Sequence, residues 1–313
     1  MKIWQSILMA RRELAAEKRQ TAVTIGNFDG VHRGHQQIMR QTVELARPLG
    51  LTVVALTFLN HTESLLGESP LLINTPPLRR ELLAKQGLDA VLEVPFDQGL
   101  AELEPETFLG TWLLEGLHAR LIVVGYDFRF GREGRGDFQL LRDFGSAHGL
   151  EVERIAPILE KGMVIGSSKI RQLLAEGDLE LANQMLGYPF VIEGPVVTGE
   201  QRGRTMGFPT ANIRLEPRYL LPCYGVYLVR LQVGTRSYFG IANVGIKPTF
   251  QGSQPLVEVY LFDVEINLYQ QLVRVEFLRF IRPENRFAGP EALRRQIEKD
   301  VKTAKGILEQ LSR

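Results

Sequence analysis

The sequence predicts two domains of different class: an α/β domain built on a doubly wound parallel sheet, then a mainly antiparallel β-barrel closed by a C-terminal helix. Three observations carry this reading. The chain has 313 residues, more than one hydrophobic core usually serves, so two domains of roughly 100–200 residues are expected. From Thr21 to about Gly187, short β-branched runs alternate with amphipathic stretches, the pattern of repeated βαβ units. After Gly187 the strand-like runs follow one another through Gly- or Pro-bearing turns with no helix between them, which is the pattern of an antiparallel barrel. The expected domains are therefore residues 1–187 and 188–313.

Residues 1–20 carry Arg11, Arg12, Glu13, Glu17, Lys18 and Arg19 and no uninterrupted apolar core, so they read as a short helix and not as a secretory signal. Strands are expected at Thr21–Ile25, Leu51–Phe58, Ala90–Val94, Arg120–Val124 and Glu151–Ile155, the buried ones almost continuously apolar as a parallel sheet requires. Helices are expected in the gaps, at His35–Ala46, Leu78–Gln86, Pro105–His118 and Phe138–Ala147. Such sheets bind ligands at the carboxyl ends of their strands, which puts the loop after Ile25 at an active site. A helical pair, Ser168–Glu176 and Leu179–Leu186, precedes the boundary. The barrel strands are expected at Pro189–Val197, Tyr224–Val233, Ser237–Asn243, Leu256–Asp263 and Val273–Ile281. The last helix, Pro290–Leu311, repeats Leu293, Ile297, Val301, Ala304, Leu308 and Leu311 every three or four positions, one apolar face of a helix. Pro290 suits its first turn.

Composition excludes several classes. Hydrophobic residues make up 44% and charged residues 23%, and no segment approaches the ~18 consecutive apolar residues of a membrane span. The formal charge of +1 gives no basic stripe for nucleic acid. Cys223 is the single cysteine, which rules out an internal disulfide, argues against a thiolate zinc site and fits a reducing cytoplasm. The sequence sets no oligomeric state.

The segment Thr24-Ile-Gly-Asn-Phe-Asp-Gly-Val-His-Arg-Gly-His35 runs off a strand, through tight glycines, into a helix. Backbone amides at such a helix start hold phosphate oxygens. His32 and His35 lie three apart on its first turn, so both imidazoles can face one group, and the chain has only five histidines. The plainer reading is one His as a helix cap and the other as a satisfied surface residue. No thiolate or further histidine at ligand spacing accompanies the pair, which disfavours zinc. Neither a P-loop nor a dinucleotide fingerprint occurs anywhere.

Gly26–His35 resembles the HxGH nucleotidyltransferase motif of bacterial bifunctional riboflavin kinase/FAD synthetases. Val124-Gly-Tyr-Asp-Phe-Arg-Phe-Gly131 is similar to that family's second loop, and Ser167-Ser-Lys-Ile-Arg171 to its phosphate-binding signature. The resemblance implies a Rossmann-like domain that adenylylates FMN to FAD with ATP. It gives His32 and His35 the role of binding phosphates and stabilising the transition state, with Ser168 and Arg171 on the β- and γ-phosphates. Gly26, Asn27, Phe28, Asp29 and Asp127 are the further nucleotide-site residues it implies. Gly166 and Lys169 stand where the family commonly has Ser and Arg, and Thr57-Phe-Leu-Asn-His-Thr62 replaces a Pro-His-Pro turn, keeping only His61.

In the second half, Gly194–Ile213 joins a strand, a Gly/Arg turn and Pro-Thr-Ala-Asn. Glycines let amides approach phosphates, and Arg202 and Arg204 add charge, although an exposed hairpin with solvated arginines would read the same way. Pro209-Thr-Ala-Asn212 resembles the riboflavin kinase motif, which implies ATP phosphates and Mg2+ at Thr210 and Asn212, with Gly199 and Arg204 beside the nucleotide. Hard oxygens completed by phosphate and water suit magnesium. Glu258 alternates with Val257 and Val259 on a strand and so faces away from them. Alone it is an ordinary outward carboxylate; its match to the family's strand glutamate makes it the expected base for the riboflavin hydroxyl. Gly240–Phe250 and Arg282–Phe287 are similar to the flavin loop and the stretch before the last helix, with Ile246, Lys247 and Gln270 as departures.

The implied whole is an enzyme that phosphorylates riboflavin to FMN and adenylylates FMN to FAD, with ATP as co-substrate. Two rivals share the resemblance: one site turning over while the other binds flavin, or a non-catalytic flavin sensor. The two sets of phosphate motifs and Glu258 argue against the sensor.

Overall fold

The computed structural model describes residues 1–65, 67, 69–199, 203, 206–249, 252–264 and 266–311, with backbone only at 247–249 and 252–255. The chain forms two compact units, Met1–Leu72 with Pro76–Gly166, and Ile73–Thr75 with Ser167–Arg313.

Among the described residues of the first unit, six parallel strands form one sheet: β1 (Lys2–Trp4), β2 (Thr21–Ile25), β3 (Thr52–Phe58), β4 (Ala90–Val94), β5 (Ala119–Gly125) and β6 (Glu151–Ile155). Their spatial order is β1-β4-β3-β2-β5-β6. Every residue of β2, β3 and β4 is buried, the two-sided burial of a parallel sheet covered by helices. The order reverses at β2, whose neighbours are β3 and β5, so the loops after β2 and β5 flank the switch point where such sheets take ligands.

Two sequence expectations need correction. Residues 1–20 are not one short helix: β1 precedes the helix Ile7–Ala16 and pairs with β4, Ile3 opposite Val91. Trp4 anchors it, 2% exposed, with its indole N–H donating to Glu13 at 2.9 Å. The expected helix at 105–118 is α-helical only over Pro105–Thr107 and then winds as a π-helix, Phe108–Leu114. The wider turn lays Phe108, Leu109 and Leu113 on the core.

The second unit begins with the helices Ser167–Glu176 and Leu179–Leu186. Asn183 ties the latter to the sheet, accepting from Phe190 N at 2.7 Å and donating to Phe277 O at 2.9 Å. The first unit also holds the two-stranded antiparallel hairpin β7 (Leu159–Glu160) and β8 (Met163–Val164). The barrel consists of β9 (Phe190–Val197), β10 (Thr210–Ile213), β11 (Gly225–Val233), β12 (Arg236–Thr249), β13 (Gly252–Leu261) and β14 (Leu272–Pro283), closed in the order β10-β13-β12-β11-β14-β9. All its described pairings are antiparallel. The helix Pro290–Leu311 packs Ile297, Val301, Ala304 and Leu308 against Val226, Leu228 and Ile241 of the barrel wall.

Candidate active sites

The loop after β2 turns sharply. Phe28, Gly30 and Val31 have φ of 47°, 82° and 34°, a left-handed region costly for a branched side chain. Burial holds it: Phe28 is 1% and Val31 0% exposed. Gly26 lies under the Phe28 ring, which would meet an added Cβ at 3.1 Å. Asn27 is spent on tying loops together, its amide donating to Thr62 Oγ1 at 3.0 Å and accepting from Thr62 N at 3.3 Å. Asp29 is buried.

His32 caps the helix Arg33–Ala46, its Nδ1 accepting from His35 N at 3.3 Å. That hydrogen bond leaves Nε2 as the protonated, donating nitrogen of the neutral ring. The two imidazoles stack at 3.6 Å, and Phe28 meets His35 edge-on at 5.3 Å. Burial first, then the neighbouring His32, holds His35 well below the ordinary imidazole pKa. Its Nδ1 is buried without a hydrogen-bond partner among the described residues. Asp127, exposed after β5, lies across the switch point from this loop.

Sequence reasoning missed Arg79. It sits 6% exposed on the helix Pro76–Ala84, where the pattern suggests a solvated face. Its guanidinium donates to Asn27 O at 3.2 Å, Phe58 O at 2.6 Å and Glu93 at 2.8 Å. Glu93, 1% exposed, also accepts from Arg80 Nε at 2.7 Å. The loop lacking prolines is pinned in other ways: Asn60 donates to Phe96 O at 2.9 Å and accepts from Phe96 N at 2.8 Å.

Ser168 and Arg171 stand on the first turns of the helix Ser167–Glu176, within the second unit. Lys169 donates along its own helix to Gln172 at 3.2 Å. An added Cβ at Gly166 would meet nothing within 4 Å, so packing does not explain the missing serine.

In the barrel, the register assembles what the sequence separates. Asn212 of β10 pairs with Glu258 of β13, which pairs with Asn243 of β12. One step along, Thr210, Tyr260 and Ile241 form the next row, two residues on and therefore on the same face. The alternate residues Ile213, Val257, Val259, Ala242 and Val244 are at most 1% exposed. Both rows line a cavity of about 620 Å3 between the barrel wall and the last helix, which contributes Leu293, Ile297 and Asp300. Phe208 closes on Tyr260 edge-on at 5.1 Å. Asn243, Tyr260 and Phe208 were not singled out beforehand, because strand register is not written in local sequence.

Gly199 is required beside Asn212: an added Cβ would fall 2.3 Å from its amide nitrogen. Arg202 and Arg204 lie outside the described residues, as does the side chain of Lys247. Gln270 stands in the left-handed region that favours glycine, at φ 63°. Arg282 fixes the last helix, its guanidinium meeting Asp300 at 2.7–3.0 Å with Asp300 2% exposed.

A family model described as FAD synthetase matches residues 14–169, and one described as riboflavin kinase matches residues 186–308. The bifunctional riboflavin kinase/FMN adenylyltransferase of Escherichia coli (strain K12) is 39% identical over 293 residues, covering 93% of each chain. The protein of the same description from Bacillus subtilis (strain 168) is 37% identical over 296 residues, covering 92% of each. A crystal structure described as a macrolide-efflux protein from Streptococcus pneumoniae matches with a TM-score of 0.85 at 30% identity, over 92% of this chain and 94% of that one. Among the described residues no helix is long and apolar enough to cross a membrane. With a model for each half and a relative 39% identical across 93% of its length, the chain belongs to the bifunctional riboflavin kinase/FMN adenylyltransferase family.

Proposed function

We propose a division of labour in which residues 188–313 phosphorylate riboflavin and residues 1–187 adenylylate the FMN so formed. In the kinase reaction Glu258 takes the proton of the riboflavin 5′-hydroxyl as that oxygen attacks the γ-phosphorus of ATP and ADP departs. The row Asn212, Glu258, Asn243 in one cavity is the observation that carries this reading. It sets a carboxylate next to neutral oxygen ligands, the separation of base and phosphate holder that phosphoryl transfer needs.

The donor set fits magnesium held largely by nucleotide. Thr210 and Asn212 offer hard oxygens, and no cluster of three or more His, Cys, Asp or Glu among the described residues would hold a metal unaided. Bound there with ATP, Mg2+ would neutralise phosphate charge. Gly199 leaves the Asn212 amide its space, and the family resemblance gives Arg204 the role of adding charge for the nucleotide.

In the adenylyl transfer an FMN phosphate oxygen attacks the α-phosphorus of ATP and pyrophosphate leaves, with no covalent enzyme intermediate. His32, donating from Nε2, and His35 bind the phosphates and stabilise charge spreading over the equatorial oxygens. Ser168 and Arg171 hold the β- and γ-phosphates. Gly26, Asn27, Phe28 and Asp29 shape the loop, with Asp127 on the neighbouring strand end. A cytoplasmic location, with neither nucleic acid nor membrane as partner, completes the proposal.

The test is chromatography of flavins after incubation with ATP and Mg2+. Glu258→Gln is expected to abolish FMN formation from riboflavin and to leave FAD formation from supplied FMN intact; His32→Ala is expected to do the reverse. Loss of both activities in either variant would sink the assignment.

A further inference from the structure

Buried arginines rarely stabilise a fold for free. The desolvation of a guanidinium and a carboxylate roughly cancels their attraction, so an apolar pair often does as well. Arg79 goes further, because its Nε–H is buried without a hydrogen-bond partner among the described residues. The gain lies elsewhere, in what the other nitrogens hold. One donates to the carbonyl of Asn27, in the loop that leads to His32, and another to the carbonyl of Phe58, where the loop to Thr62 begins. Glu93, at the end of β4, orients the guanidinium from below, and Arg80 fixes Glu93 in turn.

We infer that Arg79 is a positioning residue for adenylyl transfer, holding the carboxyl ends of β2, β3 and β4 in fixed relation so that the two loops present one surface to the nucleotide and the flavin. This rests on the adenylylation reading above. The same two loops are joined a second time by Asn27 and Thr62, and Thr57 Oγ1 also donates to Asn27 O at 3.2 Å. Hydrogen bonds fix the path of a loop without prolines, and among these Arg79's alone reach Asn27, Phe58 and Glu93 together. Lysine cannot replace it, since a single ammonium does not span three acceptors with the planar fork of a guanidinium.

The experiment uses the full chain, whose riboflavin kinase activity serves as an internal control. FAD formation by the unaltered chain is measured first, which separates failure of the adenylylation reading from failure of the positioning role. Arg79→Lys and Arg79→Gln are then compared for kcat and KM of FMN adenylylation, kinase rate and thermal unfolding. A displacement of about 1 Å costs on the order of 100-fold in a positioned reaction, so the adenylylation kcat is expected to fall by ~30–100-fold. The KM for FMN and ATP is expected to change by less than about threefold, because the binding groups themselves remain. The kinase rate is expected to hold. An Arg79→Lys kcat within about threefold of the unaltered chain, a change confined to KM, or a fall that vanishes once rates are divided by the folded fraction overturns the inference.

Discussion

The stacked His32 and His35 show how one residue's chemistry is set by its neighbour. His32 uses Nδ1 to cap the helix, so its proton sits on Nε2, while His35 is kept neutral by burial and by the ring 3.6 Å away. The consequence is a pH dependence with a definite sign. An unfolded imidazole titrates near 6.5 and His35 in the fold well below it, so between those values the unfolded chain binds the extra proton. Stability is then fully present above about pH 6.5 and is lost as pH falls toward the folded value, by at most ~1.4 kcal/mol per pH unit for one proton. Unfolding midpoints measured from pH 7.5 to 5 should fall, and His35→Gln should flatten that fall. An equal slope in both proteins would show that His35 does not carry it.

At the scale of elements, the last helix forms one wall of the kinase cavity, and a buried ion pair joins it to the barrel beside its apolar packing. Asp300 takes both Arg282 and Gln296, the latter at 2.8 Å. Asp300→Asn leaves Arg282 facing no counter-charge in a mostly buried place, at a cost of roughly 3 kcal/mol. The expected result is a lower unfolding midpoint and a riboflavin KM raised about tenfold, the equivalent of ~1.4 kcal/mol, with adenylylation unchanged. An unaltered KM would detach the pair from the site. This helix was legible because it repeats its apolar positions over 22 residues, and β2 and β4 were legible because their burial on both faces leaves short runs that are mostly apolar. β1 and β10 were not, since three and four residues are too few to display a period. The motif residues His32, Thr210, Asn212 and Glu258 could be named from the chain alone. Arg79 and Glu93 could not, because buried charges look like surface charges until their partners are known.

For the whole molecule, the division of chemistry predicts how two defective chains behave together. Glu258→Gln retains the groups around His32 and His35, and His32→Ala retains the row of Asn212, Glu258 and Asn243. Each variant alone should form no FAD from riboflavin, one for want of FMN and the other for want of adenylylation. Mixed in equal amounts with ATP and Mg2+, they should restore it, because FMN made by the His32→Ala chain can dissociate and bind the Glu258→Gln chain. Since the intermediate then passes through solution, FAD should appear after a lag during which free FMN accumulates, and the lag should shorten as both variants are concentrated. FMN accumulation without FAD would place the two reactions under a constraint that requires both intact sites in one chain. FAD without a lag would mean that FMN passes between chains without accumulating in solution. The predicted course, a lag followed by full conversion, follows from two sites whose reactive groups are assembled separately, one by the switch point of a parallel sheet and the other by the register of a barrel wall.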